Sequence, residues 1–519
     1  MDNRMSNNGN KFFITTAIHY SSGLPHIGHA YETALADTIA RYKRLIGFDV
    51  FFLTGLDEHG QKIEEIAQKN NMTPINWCDH IYTKFKELWD RLYISNDFFI
   101  RTTADFHVKA VQKIFSEMLN NNDIYLGEWK GLYCIGCEES YNEDEAIKKE
   151  DGLYCRVGHK LIKREEPSYF FKMSKYTEWI NEYFNEHSDL IIPKYRMTEM
   201  RNNFIDKNLD DLSVSRVGFD WGIPILENPD HVIYVWLDAL FNYVTALGFK
   251  QEDDSNYQKY WNDKNSQVVH IVGKDIARFH TIYWPIMLHS LNMRIPDHVI
   301  GHGWILSEDG RKMSKSFGNV IDPHYLLDKY DHDVVRYYFF KEFIIETDNN
   351  FNENKLIELY NSDLANIFGN IVSRLIGMLH LYTNGVVPSK GNSSVLSEAK
   401  QQLLDSVEKN VNIFNIKQVL TDITSYGKKI DLYIEQNKPW ELNKNNKVDE
   451  LNDVLFNIAD AVRTFCVLLQ PVLIIGTKKI AQQMNFTDEM LKYENINDLS
   501  LISGLKVGTS VPIYERIKR

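Results

Sequence analysis

The sequence predicts an α/β protein: a doubly wound parallel sheet, split by an inserted segment and followed by an α-helical bundle. Three observations carry this. Short apolar runs bounded by turns alternate with helical periodicity over residues 1–117 and again over 229–325. A stretch rich in cysteine and charge, 118–228, separates those halves and reads as an insertion. Beyond a linker, 326–354, apolar residues recur at helical spacing through 355–519. A chain of 519 residues exceeds one ordinary core, in keeping with several units.

The first half begins with FFITTAIHY, 12–20, whose β-branched and aromatic residues read as a buried strand. From His29 the positions Ala30, Ala34, Leu35, Ile39, Tyr42 and Ile46 recur with helical spacing, and Gly47 supplies a stop. FDVFFLTG, 48–55, is a second strand, so the three make a parallel βαβ unit. Between first strand and helix lies SSGLPHIGHAYE, 21–32. Ligands of such sheets bind beyond the carboxyl ends of the strands, and a helix N-terminus there favours an anion. Gly28 lets a phosphate approach the backbone, and neutral imidazoles of His26 and His29 can donate hydrogen bonds to it. A nucleotide phosphate is the natural guest, although neither GxGxxG nor GxxxxGK[ST] follows any strand.

The second half of the sheet is expected from DHVIYVWLDAL (230–240), QVVHIVGKD (267–275) and HVIGHGW (298–304), each an apolar strand running into a helix-like stretch. In the bundle, Leu364, Ile367, Ile371, Leu375 and Leu379 fall on one helix face.

With 44% hydrophobic and 25% charged residues the composition is that of a globular protein. The opening MDNRMSNNGN lacks the apolar core of a signal peptide. The longest apolar stretch, TFCVLLQPVLIIG at 464–476, falls short of a membrane span and contains Gln470 and Pro471. A cytoplasmic protein without a membrane partner is expected. Of five cysteines, Cys134, Cys137 and Cys155 cluster while Cys78 and Cys466 stand apart, which suits a metal site in a reducing compartment better than a disulfide framework. Cys134 and Cys137, at C-x2-C spacing, with Cys155 and His159 make a plausible tetrahedral structural zinc site; buried thiols are the alternative. The net charge of −13 argues against binding nucleic acid by charge alone, but screening leaves room for a local basic face.

SEDGRKMSKSFGN, 307–319, frames lysines and serines between Gly310 and Gly318, the makings of a mobile cationic loop. On one chain and in this order, HIGH (26–29) and KMSKS (312–316) resemble the two signatures of the class I aminoacyl-tRNA synthetases. TTAIHY (15–20), TGLDEHGQK (54–62), NNFIDKNLDDLSVSR (202–216), YVWLDALFNYVTALG (234–248) and VGKDIARFHTIYWPIML (272–288) together look like the methionyl-tRNA synthetases of bacterial type. The resemblance covers nearly the whole chain. It implies a Rossmann-like catalytic domain, a connective insertion with a zinc knuckle, a stem-contact linker and an anticodon-binding bundle. It also implies ATP-dependent ligation of L-methionine to tRNA(Met) through a methionyl-adenylate, with AMP and diphosphate released.

The residues can be weighed for that chemistry directly. A thioether needs an apolar, polarisable pocket, for which Ile18, Trp236, Ala239, Leu240, Tyr243 and Ile276 are available, and the ammonium needs an acid, for which Asp57 ends the second strand. The resemblance adds Ala17, Tyr20 and His280 to the methionine site. It assigns ATP to His26, Gly28, His29, Lys274, His302, Gly303, Lys312 and Lys315, with His26, His29, Lys312 and Lys315 catalytic and Mg2+ on the pyrophosphate. Trp284 and Tyr283 read as core. A zinc knuckle is common in this family at 134–159, although the second half here departs from x2 spacing and Val157 stands where intact knuckles carry Cys. His19 and Leu56 also depart from the family's usual residues.

NSDLANIFGNIVSR (361–374) and NKPW (437–440) resemble the family's anticodon-binding parts, with Asn370 and Arg374 on one helix face and Trp440 free to stack on a base. Taken alone, Trp440 reads as core. The insertion is too small for an editing domain, so homocysteine would have to be rejected in the synthetic site, where one methyl is worth about 1–3 kcal/mol. The end SVPIYERIKR carries no added dimerisation module, which points to a monomer. A small-molecule adenylyltransferase and a non-catalytic RNA-binding relative are the rivals; the helical bundle argues against the first and the presence of both signatures against the second.

Overall fold

The computed structural model describes residues 10–135, 139–141, 146–156, 158–207, 209–313, 319–389 and 395–518. Six parallel strands form the central sheet: β1 (Lys11–Tyr20), β2 (Asp49–Asp57), β3 (Phe98–Arg101), β4 (Ile191–Ile192), β5 (Ser266–Gly273) and β6 (His298–His302). Their order is β3-β2-β1-β5-β6-β4, so the chain reverses direction across the sheet between β1 and β5. Strands covered on both faces must be apolar on both, which is why β1 and β5 read as continuous apolar runs rather than alternating ones. Helix α1 (Ile27–Leu45) crosses from β1 to β2, and its Ala30, Ala34, Leu35, Ile39 and Tyr42 are all buried. Gly47 follows it at φ 94°, a conformation open to glycine at little cost.

DHVIYVWLDAL departs from expectation. Its strand, Asn228–Ile233, lies in a separate three-stranded antiparallel sheet with Ser215–Arg216 and Ile223–Ile225. An apolar run reports burial and leaves the partner strand open. Helix α2 (Val235–Thr245) follows as expected. Ile124–Cys134 and Ile162–Phe171 form a long antiparallel pair within a four-stranded sheet, which Glu139–Tyr141 extends beside Leu132–Cys134. Further on, Ile191–Ile192 rejoins the central sheet as its edge strand beside β6.

From Glu353 onward the described chain is mainly helical, with long helices at Asn370–Thr383, Val395–Asn412, Ile416–Asn437 and Val448–Leu469. Leu364, Ile367, Ile371, Leu375 and Leu379 are buried together, matching the expected face. One helical run, Glu353–Thr383, is long and apolar enough to cross a membrane, and half of its apolar window is buried against neighbouring helices. A single apolar core joins this bundle to α1. Buried Arg336 pins the junction: it pairs with Asp37 of α1 at 2.7 Å and donates to Pro471 O at 3.0 Å.

Candidate active site

At the point where the sheet reverses, the carboxyl ends of β1, β2, β5 and β6 open into a cavity of about 490 Å³. The histidine turn enters its wall as a helix cap. His26 is the N-cap of α1: its Nδ1 accepts from Gly28 N–H at 3.1 Å, while His29 Nδ1 accepts from His26 N–H at 3.2 Å. The two rings stack with centroids 3.7 Å apart. Because each Nδ1 is an acceptor, a neutral ring carries its proton on Nε2, so each imidazole places its donor N–H on the nitrogen that the cap does not use. Burial holds His29 well below the ordinary imidazole range, aided by His26 and His19 alongside. Neutral donors at a helix N-terminus suit a phosphate.

Gly28 has a reason that local reading missed. A Cβ there would stand 2.9 Å from His26 Cε1 and 3.1 Å from its Nδ1, so the glycine makes room for the capping ring itself.

Much of the remaining lining is apolar or aromatic. All ten residues expected for the amino acid line it, from Ala17, Ile18 and Tyr20 on β1 and Asp57 on β2 to Trp236, Ala239, Leu240 and Tyr243 on α2 and to Ile276 and His280. A register shift between Thr15 and Ile18 breaks the β1–β2 ladder here, and the Ala17 N–H turns instead to Glu32 Oε1 at 3.1 Å. His280 Nδ1 faces Ile276 O at 3.0 Å and must donate to it, so Nε2 accepts from the Tyr243 hydroxyl at 2.8 Å. Burial lowers His280 to about 4, so this ring is neutral at physiological pH. Asp57 is buried at the end of β2, beside the cavity. His19 is buried between Phe85 and His29 and lowered to about 3, chiefly by burial. Trp284 is buried core, as expected, with its indole N–H on His270.

Of the residues expected for ATP, His26, Gly28, His29, His302, Gly303 and Lys312 line the cavity. Lys274 does not: its ammonium pairs with Asp348 at 2.6 Å and lies 4.2 Å from the Trp304 ring centre. Lys315 lies outside the described residues. Lys312 is reached through a tight turn in which Ser307 N–H donates to Arg311 O and Gly310 takes φ 78°. Its Nζ sits 3.9 Å over the Trp304 ring.

Sequence reasoning missed Glu32, Asp275 and Trp304, which also line the cavity. Glu32 faces His302 Nε2 at 2.9 Å, and His302 Nδ1 donates to Gly303 O at 2.8 Å. Burial raises the Glu32 carboxyl; it would lower His302, but the bond and charge of Glu32 outweigh it and raise that imidazole. A signal existed for Glu32 alone: it follows His29 by three residues, one helical turn along the same face.

In the insertion, Cys134 Sγ lies 3.7 Å from His159 Nδ1, and the His159 N–H donates to Cys155 Sγ at 3.2 Å. The three ligand atoms fall within 4.8 Å of one another. A tetrahedral zinc with Zn–S of about 2.3 Å and Zn–N of about 2.0–2.1 Å separates sulfur and nitrogen by roughly 3.6 Å, so this set fits the ion. Cys137 and Val157 lie outside the described residues. In the bundle, Trp440 is 41% exposed on a short helix, Pro439–Lys444, which removes its reading as core. Asn370 is exposed, and Arg374 pairs with Asp431 and with Glu435, five residues before Trp440.

A family model described as tRNA synthetases class I (M) matches residues 12–156 and 151–376. The methionine–tRNA ligase of Ureaplasma parvum is 48% identical over 513 residues, covering 98% of this chain and 98% of that protein. That of Bacillus subtilis is 42% identical over 529 residues, covering 99% of this chain and 79% of the relative. The solved structure of Mycobacterium tuberculosis methionyl-tRNA synthetase in complex with methionyl-adenylate superposes with a TM-score of 0.93 at 32% identity, covering 98% of this chain and 100% of that one. At such identity over nearly its full length, the chain belongs to the class I tRNA synthetases and, within them, to the methionine–tRNA ligases.

Proposed function

We propose that this chain joins L-methionine to tRNA(Met) through a methionyl-adenylate, at the cavity between β1 and β5. The observation that carries this reading is one continuous cavity that brings together the apolar and aromatic side chains of β1, α2 and Ile276, the Asp57 carboxylate, the imidazoles of His26 and His29, and Lys312. Tyr243, Leu240 and Ile276 would enclose the thioether, while the Asp57 carboxylate would meet the ammonium. The methionine carboxylate then attacks the α-phosphorus of ATP and diphosphate leaves. No covalent enzyme intermediate is needed. Charge builds on phosphate oxygens, so the chain's part is positioning and electrostatic stabilisation. His26 and His29 would donate Nε2–H from the helix end, and Lys312 would leave the Trp304 face to meet the outgoing phosphates, with Lys315 beside it. Lys274 would act at this site only by leaving Asp348. Magnesium on the diphosphate would supply further charge neutralisation. In the second step the terminal ribose of the tRNA attacks the adenylate and AMP is released.

Zinc would be held by Cys134, Cys155 and His159 with Cys137 as fourth ligand, and would fold the tip of the insertion without entering the reaction. Asn370, Arg374 and Trp440 would read the anticodon, Trp440 by stacking.

Methionine-dependent exchange of diphosphate into ATP, assayed without tRNA, tests the reading. Activity with leucine or cysteine but not methionine overturns it. Asp57→Ala should raise the KM for methionine by two orders of magnitude or more and that for ATP by less than threefold, since a desolvated charge pair is worth about 3–5 kcal/mol on losing one partner. Equal losses would reject the assignment of Asp57.

A further inference from the structure

Behind the pocket wall lies a buried cluster that this reaction does not use. Helix α2 turns Trp236, Ala239, Leu240 and Tyr243 to the cavity, while Asp238 points away from it and is 1% exposed. Asp238 Oδ2 meets His59 Nδ1 at 2.7 Å, and Oδ1 meets His107 Nε2 at 2.8 Å. His107 Nδ1 in turn meets Thr245 Oγ1, at the far end of α2, at 2.6 Å. Burial would raise the Asp238 carboxyl, but the charges and hydrogen bonds of the two histidines hold it down at about 2.

The placement of His59 gives the cluster its reach. It follows Asp57 by two residues, and Trp221 pins its neighbours on either side: the indole donates to Glu58 O at 2.6 Å and the carbonyl accepts from Gly60 N–H at 3.1 Å. Asp238, in the first turn of α2, ties that helix to His59, just past the end of β2. One carboxylate thus joins the wall that meets the substrate side chain to the strand end that meets its ammonium.

We propose that Asp238 is a positioning residue for the amino acid: steadied by His107 of the helix Asp105–Asn120, it grips His59 and so sets the distance between the α2 wall and the Asp57 end of β2, and with it the side-chain length the site accepts. This rests on the reading that methionine is the substrate. Asparagine is the discriminating replacement. It keeps the volume, so no cavity opens, but its amide offers one acceptor oxygen where two ring nitrogens need one each.

The test measures exchange kinetics and equilibrium binding of radiolabelled methionine and of ethionine, which is one methylene longer, for the full-length protein and for Asp238→Asn and His107→Gln. The expected result is a KM for methionine at least tenfold higher in both variants, a preference for methionine over ethionine at least fivefold weaker, and a KM for ATP within twofold of the parent. Unchanged methionine KM and preference overturn the inference, whatever happens to the melting temperature, and so do equal rises for methionine and ATP. If Asp238→Asn does not fold, His107→Gln decides on the same criteria. A parent protein with no methionine-dependent exchange overturns the substrate reading itself, whereas a parent that activates methionine beside indifferent variants overturns only the role of Asp238.

Discussion

Gly28→Ala puts the histidine turn to a quantitative test. An alanine Cβ would stand 2.9 Å from His26 Cε1, and ordinary contact begins near 3.4 Å, so the ring must retreat by about 0.5 Å. That retreat strains the 3.1 Å cap bond from Gly28 N–H and the 3.7 Å stack on His29. Loss of an N-cap costs about 1 kcal/mol of stability, which a domain of this size tolerates. The effect on rate is larger, because a misplacement of 1 Å at a reacting centre costs about a hundredfold and half of that about tenfold. The expected outcome is therefore a fall of about ten- to a hundredfold in kcat/KM for diphosphate exchange, with little change in melting. Combination with His26→Ala is the deciding measurement. If Gly28 acts by making room for His26, the second change adds almost nothing once that ring is gone. If Gly28 instead lets a phosphate reach the backbone, the two losses multiply, and a multiplicative cycle refutes the reasoning.

Three further outcomes follow from the same geometry. Trp440→Ala should lower aminoacylation ten- to a hundredfold while exchange without tRNA barely changes, because one stacked base is worth about 1–3 kcal/mol; parallel loss of both activities would return Trp440 to a structural role. Protein purified without added metal should contain about one zinc per chain by elemental analysis, and Cys134→Ser should release it; a metal-free, stably folded parent rejects the site. Folding stability should fall with acid through His280 and His19, whose folded values of about 4 and about 3 lie below the ordinary 6.5. The unfolded chain takes up protons below about pH 6.5 while these rings stay neutral, so the stability present above that pH is lost as pH drops towards 4. From pH 7.5 to 5.5 the two together contribute about 3 kcal/mol, and an unchanged urea midpoint over that interval contradicts the assignment.

What the sequence determined by itself was whatever a few consecutive residues decide. The β1–α1–β2 unit, the histidine turn that opens its helix and the acid at the end of β2 are set within 57 residues by apolar patterning, which acts over one or two turns, whereas the capping role of His26 came only with the structure. The cysteine and histidine spacing likewise named a ligand set before any fold was considered, and folding brings Cys134 to 3.7 Å from His159 across 25 residues. Only the tertiary structure decided which distant groups share a buried space. Glu32 meets His302 across 270 residues, and Asp238 meets His107 across 131, and no periodicity encodes either pairing. Nor could composition show that Lys274 turns to Asp348, that Asn228–Ile233 pairs antiparallel, or that two residues at 191–192 complete the sheet. Periodicity says that a side chain is removed from water. Which group then satisfies a buried charge or strand edge depends on loop closure over tens to hundreds of residues, and only the assembled core resolves that choice.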